Sequence, residues 1–285
     1  MNAETAKLAA GLYLVAVPIG SARDITLRAL DILASADMLA AEDTRSLRRL
    51  MDIHGIALGD RPLLAYHDHS GQKIRARLME AVAAGKSVAY ASEAGTPLIA
   101  DPGYDLARQM RDEGLEITSA PGPSAVITAL SIAGLPTDRF LFAGFLPSAA
   151  GARKSALMDL RDTRATLVFY ESPNRIATML GDAAEVLGPE RQGALCRELT
   201  KRFEEVRRGT LSELAAGCET DPPRGEIVLL VDRGDSENVS ESDLETSLSA
   251  ALERLSVRDA ADEVAARFDL PRRKVYQMAL KLNKG

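Results

Sequence analysis

Ser87–Ser92, SVAYAS, runs directly into Glu93-Ala94-Gly95-Thr96-Pro97. A β-rich run that breaks at Gly and Pro reads as a strand ending in a loop of small residues. Upstream, Lys73–Ala84 is helix-like and is closed by Gly85. Downstream, Tyr104–Glu113 is helix-like and stops at Gly114, and Glu116–Ser119 returns as a strand. Farther out the pattern repeats. Leu12–Val17 is β-rich and stops at Pro18-Ile19-Gly20. A helix follows from about Thr26 to Ser35, with Asp24 as its cap and Leu27, Leu30 and Leu33 on one face. Met38–Ala41 is a short strand. Strands alternating with helices in this way predict an α/β fold with mostly parallel strands.

Pro121-Gly122-Pro123 excludes helix and marks the expected domain boundary, so residues 1–120 form an N-terminal α/β domain and 121–233 a second one. The second opens with a helix from Ser124 to Ala133. It continues through strands at Phe140–Phe142, Ala165–Tyr170, Gly193–Arg197 and Glu226–Val231, with helices near Arg153–Leu160 and Asn174–Leu187. Residues 234–247 carry five acids and no base, the composition of a solvated linker. Beyond them the charge reverses: Arg267–Gly285 holds six Lys or Arg against Asp269 alone. Residues 248–285 are expected to form a helical module. Val257–Leu280 reads as two helices separated by Phe268-Asp269-Leu270, sharing a seam of Ala260, Ala261, Val264, Val275 and Ala279, which is the pattern of a helix-turn-helix.

Bulk composition narrows the function classes. With 46% hydrophobic and 27% charged residues, the 285-residue chain resembles an ordinary globular protein. Its net charge of -6 confines any nucleic-acid contact to local basic patches. Cys196 and Cys218 are too few for a disulfide framework and suit small core residues. The start MNAETAKLAAG lacks the apolar core of a signal peptide, and Leu12–Ile19 is too short to span a bilayer. A cytoplasmic protein with no membrane partner is expected.

Ligands of open parallel sheets bind beyond the carboxyl ends of the strands. Four loops rich in Gly, Pro and small residues fall there: Pro18–Ser21, Glu93–Pro97, Pro121–Ala125 and Gly144–Pro147. Small side chains let a ligand approach the backbone. None of these loops has the spacing of a dinucleotide or P-loop fingerprint. Charged clusters also follow strands: Glu42–Arg45, Tyr66–His69, Glu171–Arg175 and Arg197–Lys201. His67 and His69 lack a third partner nearby, so no metal is expected.

These stretches carry a family resemblance. Pro18-Ile19-Gly20, AAEDTR (40–45), YHDH (66–69), SEAGTPLIADPGY (92–104) and PGPSA (121–125) resemble the ribosomal RNA small-subunit methyltransferase I family. So do GLPTDRFLFAGFLP (134–147), FYESPNR (169–175), RELTK (197–201) and RGT (208–210). The matches span roughly residues 11–232. Ser21, Glu93 and Asn174 depart from the family pattern, where Asn, Asp and His are usual. An amide at 174 excludes an obligatory acid–base role there.

The resemblance implies the tetrapyrrole-methylase type of fold, with S-adenosyl-L-methionine in a cleft between the two α/β domains and a homodimeric assembly. It implies 2′-O-methylation of a cytidine ribose in the decoding region of 16S ribosomal RNA, with that RNA or the small ribosomal subunit as partner. Gly95, Thr96 and Pro97 match one cofactor loop and Ser124 and Ala125 a second; Pro18, Tyr170, Glu171 and Gly225 fall where further cofactor contacts are expected. Candidate bases for a ribose hydroxyl are Asp43, Glu42 and His67, with Arg45 gripping a phosphate. Arg48, Arg272, Arg273 and Lys274 are the expected RNA contacts. A tetrapyrrole methyltransferase or a diphthine-synthase-like enzyme would share fold and cofactor, but neither accounts for the basic C-terminal helices. A non-enzymatic RNA-binding assembly protein would account for those helices but not for the four loops.

Overall fold

A computed structural model describes residues 3–283 except 68–70, 102, 234–240, 269 and 271. The described chain forms two compact units, Met1–Asp232 and Arg233–Gly285.

The first unit holds two five-stranded sheets. Sheet one contains β1 (Gly11–Val15), β2 (Met38–Ala41), β3 (Leu63–Ala65), β4 (Ser87–Ala91) and β5 (Ile117–Ala120), all parallel, in the order β3-β2-β4-β1-β5. Its helices are α1 (Leu27–Ser35), α2 (Thr44–Ile53), α3 (Gly71–Ala83) and α4 (Tyr104–Asp112). The order dictates which helix covers which face. From β1 the chain steps one way to β2 and on to β3, then reverses to β4 and β5. Parallel crossovers are right-handed, so reversing direction changes face. Accordingly α1 and α2 pack Leu30, Leu33, Leu47 and Met51 against Val15, Leu39 and Ala89. On the other face, α3 and α4 pack Leu78, Val82, Leu106 and Met110 against Leu12, Met38, Val88 and Tyr90. Adjacent β1 and β4 send their connections in opposite directions, which opens a crevice beyond their carboxyl ends.

After α5 (Ala125–Ala133) the second sheet contains β6 (Phe140–Phe145), β7 (Thr166–Glu171), β8 (Gln192–Arg197), β9 (Glu205–Thr210) and β10 (Ile227–Val231). Its order is β6-β7-β10-β8-β9, and only the β6–β7 pair is parallel. The expectation of mostly parallel strands therefore holds for sheet one and fails for sheet two. Central β10 inserts antiparallel between β7 and β8, and its run of five buried residues reads alike in either direction. One face carries α6 (Ala150–Leu160), α7 (Ile176–Leu187) and α8 (Leu211–Thr220) over a core including Leu157, Leu180 and Leu214. The other face packs against α5 and also against Ile19, from the loop after β1, which ties the two sheets together.

Several boundaries differ from expectation. Thr26, not Asp24, caps α1, accepting from the Ala29 amide. Leu27 is exposed, and Ala29, Leu30, Ile32 and Leu33 form the buried stripe instead. The helix expected from Asn174 begins at Ile176, after a turn through Pro173–Arg175. The helix α2, strand β9 and helix α8 had no counterpart in the sequence reading.

The second unit is three helices, α9 (Glu241–Leu252), α10 (Val257–Phe268) and α11 (Arg272–Leu282), not two. The acidic stretch expected to be linker through residue 247 is helical from Glu241, because Leu244, Leu248 and Ala251 recur at helical spacing and are buried. They join all five residues of the expected seam in a core made only of this unit's own side chains. Among the described residues no helix is long and apolar enough to cross a membrane.

One buried ion pair braces the second sheet's helices. Arg153 Nε donates to Asp182 Oδ2 at 2.7 Å, and the two side chains are 5% and 12% exposed. Removing one partner strands the other charge, so Asp182→Ala is expected to cost about 3–5 kcal/mol. The double variant Arg153→Met with Asp182→Leu should recover most of that loss. Urea denaturation midpoints check both; an unshifted midpoint in Asp182→Ala would show that the pair does not hold α6 to α7.

Candidate active site

The crevice beyond β1 and β4 is closed by residues of sheet two into a cavity of about 380 Å³. Ala94, Gly95, Thr96, Ile99, Ala100 and Asp101 line one side, and Tyr170, Glu171, Ser172, Gly225 and Glu226 another. Ile19, Ser124, Ala125, Phe145, Leu199 and Val228 complete much of the wall.

Four loops are locked together around this space. Val17 and Gly95 exchange backbone hydrogen bonds, 2.9 Å and 3.1 Å long. Thr96 Oγ1 donates to the Pro123 carbonyl at 2.9 Å. The Ser21 amide donates to Thr200 Oγ1 at 3.1 Å, bringing in the loop after β8. The backbone groups of Gly95 and the hydroxyl of Thr96 are thus spent on the scaffold. What these residues offer a ligand is shape. Non-glycine residues with left-handed backbones occur at Leu98, Ala100, Glu198 and Thr200, all in loops bordering this cavity. Strain held in this way concentrates where function over-determines geometry. Gly225 has φ +87°, and a Cβ there would lie 2.2 Å from Glu198 Oε1. The glycine leaves room for that carboxylate, which accepts from the Glu226 amide and from Lys201 Nζ.

Seven of the nine expected cofactor residues line the cavity: Gly95, Thr96, Ser124, Ala125, Tyr170, Glu171 and Gly225. Pro18 and Pro97 do not, but each adjoins a residue that does. The Ser124 hydroxyl makes no capping bond to α5, so it stays available. Tyr170 packs edge-on against Phe142 and Phe145, and burial, reinforced by Asp101, pushes its phenol up to about 12. Glu171 is buried. Its Oε1 accepts from the Ser172 amide at 2.7 Å, whereas Oε2, paired with Arg175 Nη2 at 3.1 Å, receives no hydrogen bond. That oxygen, held by the charge of Arg175 alone, has room to accept one more donor.

The expected catalytic group is placed differently. None of Glu42, Asp43, Arg45 and His67 lines the cavity. Asp43 is the N-cap of α2: its carboxylate accepts from the Arg45 and Ser46 amides and from Ser46 Oγ, and the first of these bonds leads in holding its pKa down. Glu42 accepts from the Glu93 amide at 3.2 Å. The Arg45 side chain is 93% exposed, and Arg48 and Arg49 are exposed with it on α2. His67 is exposed, and His69 lies outside the described residues. Asp101, which lies within SEAGTPLIADPGY (92–104) but is not among the expected site residues, lines the cavity together with Glu171 and Glu226. Half-buried between the loops and facing the charge of Glu42, the Asp101 carboxyl is pushed up to about 6, with Glu93 adding to the shift and a Ser92 hydrogen bond opposing it.

In the second unit, Arg273 and Lys274 are exposed in the first turn of α11. Arg272 instead makes a paired contact with Asp262 of α10, with Nη2 2.9 Å from Oδ2.

Known proteins share this architecture. Residues 11–215 match the family described as Tetrapyrrole (Corrin/Porphyrin) Methylases, and residues 238–283 match the RsmI C-terminal HTH domain. The solved uroporphyrin-III C-methyltransferase from Thermus thermophilus complexed with S-adenosylhomocysteine has the same fold. Its TM-score is 0.54 at 19% identity, over 78% of this chain and 98% of that one. Ribosomal RNA small subunit methyltransferase I of Mesorhizobium japonicum is 45% identical over 95% of this chain and 92% of its own length. The protein of the same name from Vibrio cholerae is 44% identical over 94% of each. Likeness of that degree along almost the whole of both chains, together with the match to this C-terminal domain, means that the chain belongs to the ribosomal RNA small subunit methyltransferase I family.

Proposed function

We propose that this chain transfers a methyl group from S-adenosyl-L-methionine to the 2′-hydroxyl of a cytidine in the decoding region of 16S ribosomal RNA. The observation that carries the reading is a cavity at the switch point of the first sheet whose wall combines apolar side chains, a buried carboxylate with an open acceptor, and Asp101. Family membership supplies the reaction class.

The cavity suits this cofactor. Its volume falls in the range of small-molecule sites, about 300–1,000 Å³. Ile19, Phe145, Leu199 and Val228 offer apolar walls for a purine. Glu171 Oε2 takes a donor, an ammonium or a ribose hydroxyl, and the carboxylates of Glu171 and Asp101 favour a cation. The bound cofactor supplies a methyl carbon already activated on a sulfonium. The chain therefore contributes positioning, by a cradle whose loops are fixed to one another. Arg45 and Arg48, exposed on α2 next to Glu42, suit phosphates of an RNA strand entering the cavity, and Arg273 and Lys274 suit phosphates elsewhere on the substrate.

The test is transfer of labelled methyl from S-adenosyl-L-methionine to 16S RNA and to small subunits, followed by nucleoside mass spectrometry. The expected product is 2′-O-methylcytidine. A methyl on a base would overturn the ribose assignment. Transfer to a tetrapyrrole or a protein, with none to RNA, would overturn the reading as a whole.

A further inference from the structure

Resting on the 2′-hydroxyl reading above, we infer that Asp101 is the group that takes the proton from the attacking ribose oxygen. Position selects it first. Asp101 lies in the cavity wall with Thr96, Tyr170 and Glu171, at the end of a loop whose residues Leu98 and Ala100 have φ of 73° and 61°. The other carboxylates nearby already have partners: Asp43 caps α2, Glu42 holds the Glu93 amide, Glu171 holds the Ser172 amide and pairs with Arg175, and Glu226 pairs with Lys201.

Its surroundings then give it a useful basicity. Glu42 at the end of β2 and Glu93 at the end of β4 bear on it, Tyr170 and Glu171 share its cavity from β7, and the nearby Ser92 hydroxyl opposes the rise. Burial first, and the charge of Glu42 second, raise its carboxyl to about 6. Such a group is ionised near neutral pH yet takes up a proton more readily than an exposed carboxylate. Proton transfer is most effective when the base titrates near the working pH. Asp43, held below the ordinary range by its capping bonds, is the opposite case.

The step balances. The ribose O–H bond breaks with its pair left on oxygen, and the proton passes to an Asp101 carboxylate oxygen. The ribose oxygen forms the bond to the methyl carbon while the carbon–sulfur pair returns to sulfur. A thioether, a methyl ether and a protonated Asp101 remain, and the proton is then lost to water.

Asp101→Asn keeps the shape of the side chain and removes the base. In single-turnover assays on 16S RNA its rate is expected to fall about 10²–10⁴-fold. Wild-type rate should rise with pH through about 6 and then level, and this acid limb should vanish in Asp101→Asn. Glu42→Gln removes a charge that raises the Asp101 pKa, so it should keep the limb but move it to lower pH. Melting temperatures give a readout independent of activity. A carboxyl raised on folding contributes stability below its unfolded pKa of about 4. That contribution is lost as pH rises through about 6. Asp101→Asn should therefore gain on the wild type between those values and stay ahead above them. Product mapping on the wild type alone decides the parent reading; methyl on a base overturns both. With the ribose product in hand, Asp101→Asn at parental rate, a retained acid limb, or a melting difference flat with pH overturns the role of Asp101.

Discussion

Gly95→Val is expected to abolish cofactor binding in calorimetry while the protein stays folded. Gly95 has φ +75°, and a Cβ there would sit 3.3 Å from Ile19 Cγ2 and 3.6 Å from the Pro123 carbonyl. A β-branched residue tolerates the left-handed region poorly, at roughly 1–3 kcal/mol. The loop relieves that strain by moving, and its movement breaks the exchange of hydrogen bonds with Val17 and draws Thr96 from Pro123. These contacts set the near wall of the cavity. Losing them should weaken S-adenosyl-L-methionine binding on the order of a hundredfold or more. The change lies in a loop outside both cores of sheet one, so the circular dichroism spectrum should be unaltered. Gly95→Ala, without the branch, should fall between. Parental affinity in a folded Gly95→Val protein would place the cofactor elsewhere.

The loops of this site were legible because their signals are local. Met38–Ala41 matched its strand residue for residue, and Gly95-Thr96 and Ser124-Ala125 fell in the cavity wall. Local signals also account for what was missed. In α2 the run TRSLRRLMDI buries only Leu47 and Met51 fully, and the charges around them read as a loop cluster. Edge strand β9 contains Glu205, Arg207 and Arg208 and buries little, so it lacks the apolar alternation of a strand. The reversal of β10 leaves no trace, since burial on both faces gives the same composition in either direction. Asp101 escaped for a different reason. Its character comes first from partial burial in a loop bent through left-handed residues and then from Glu42, 59 positions earlier, and neither can be read from neighbours in sequence.

Charge reversal at the start of α11 is expected to separate RNA docking from catalysis. Residues 233–285 make a unit with its own core, so surface changes there should not unfold it. Arg273 and Lys274 are exposed in the first turn of a helix whose amides also favour phosphate. Arg272 differs, because its charge is neutralised by Asp262. Arg273→Glu with Lys274→Glu should lower affinity for 16S RNA about 10–100-fold near physiological salt, and a log–log salt plot should become shallower by roughly two. Arg272→Glu should do less to RNA binding, since it removes a charge already answered. S-adenosyl-L-methionine affinity should not change in either variant, because every residue lining the cavity lies at or before Val228. Filter binding across a salt series measures the slopes, and calorimetry measures the cofactor. A soluble Arg273→Glu, Lys274→Glu protein with undiminished RNA affinity would remove α11 from the RNA interface and leave the exposed arginines of α2 to carry it.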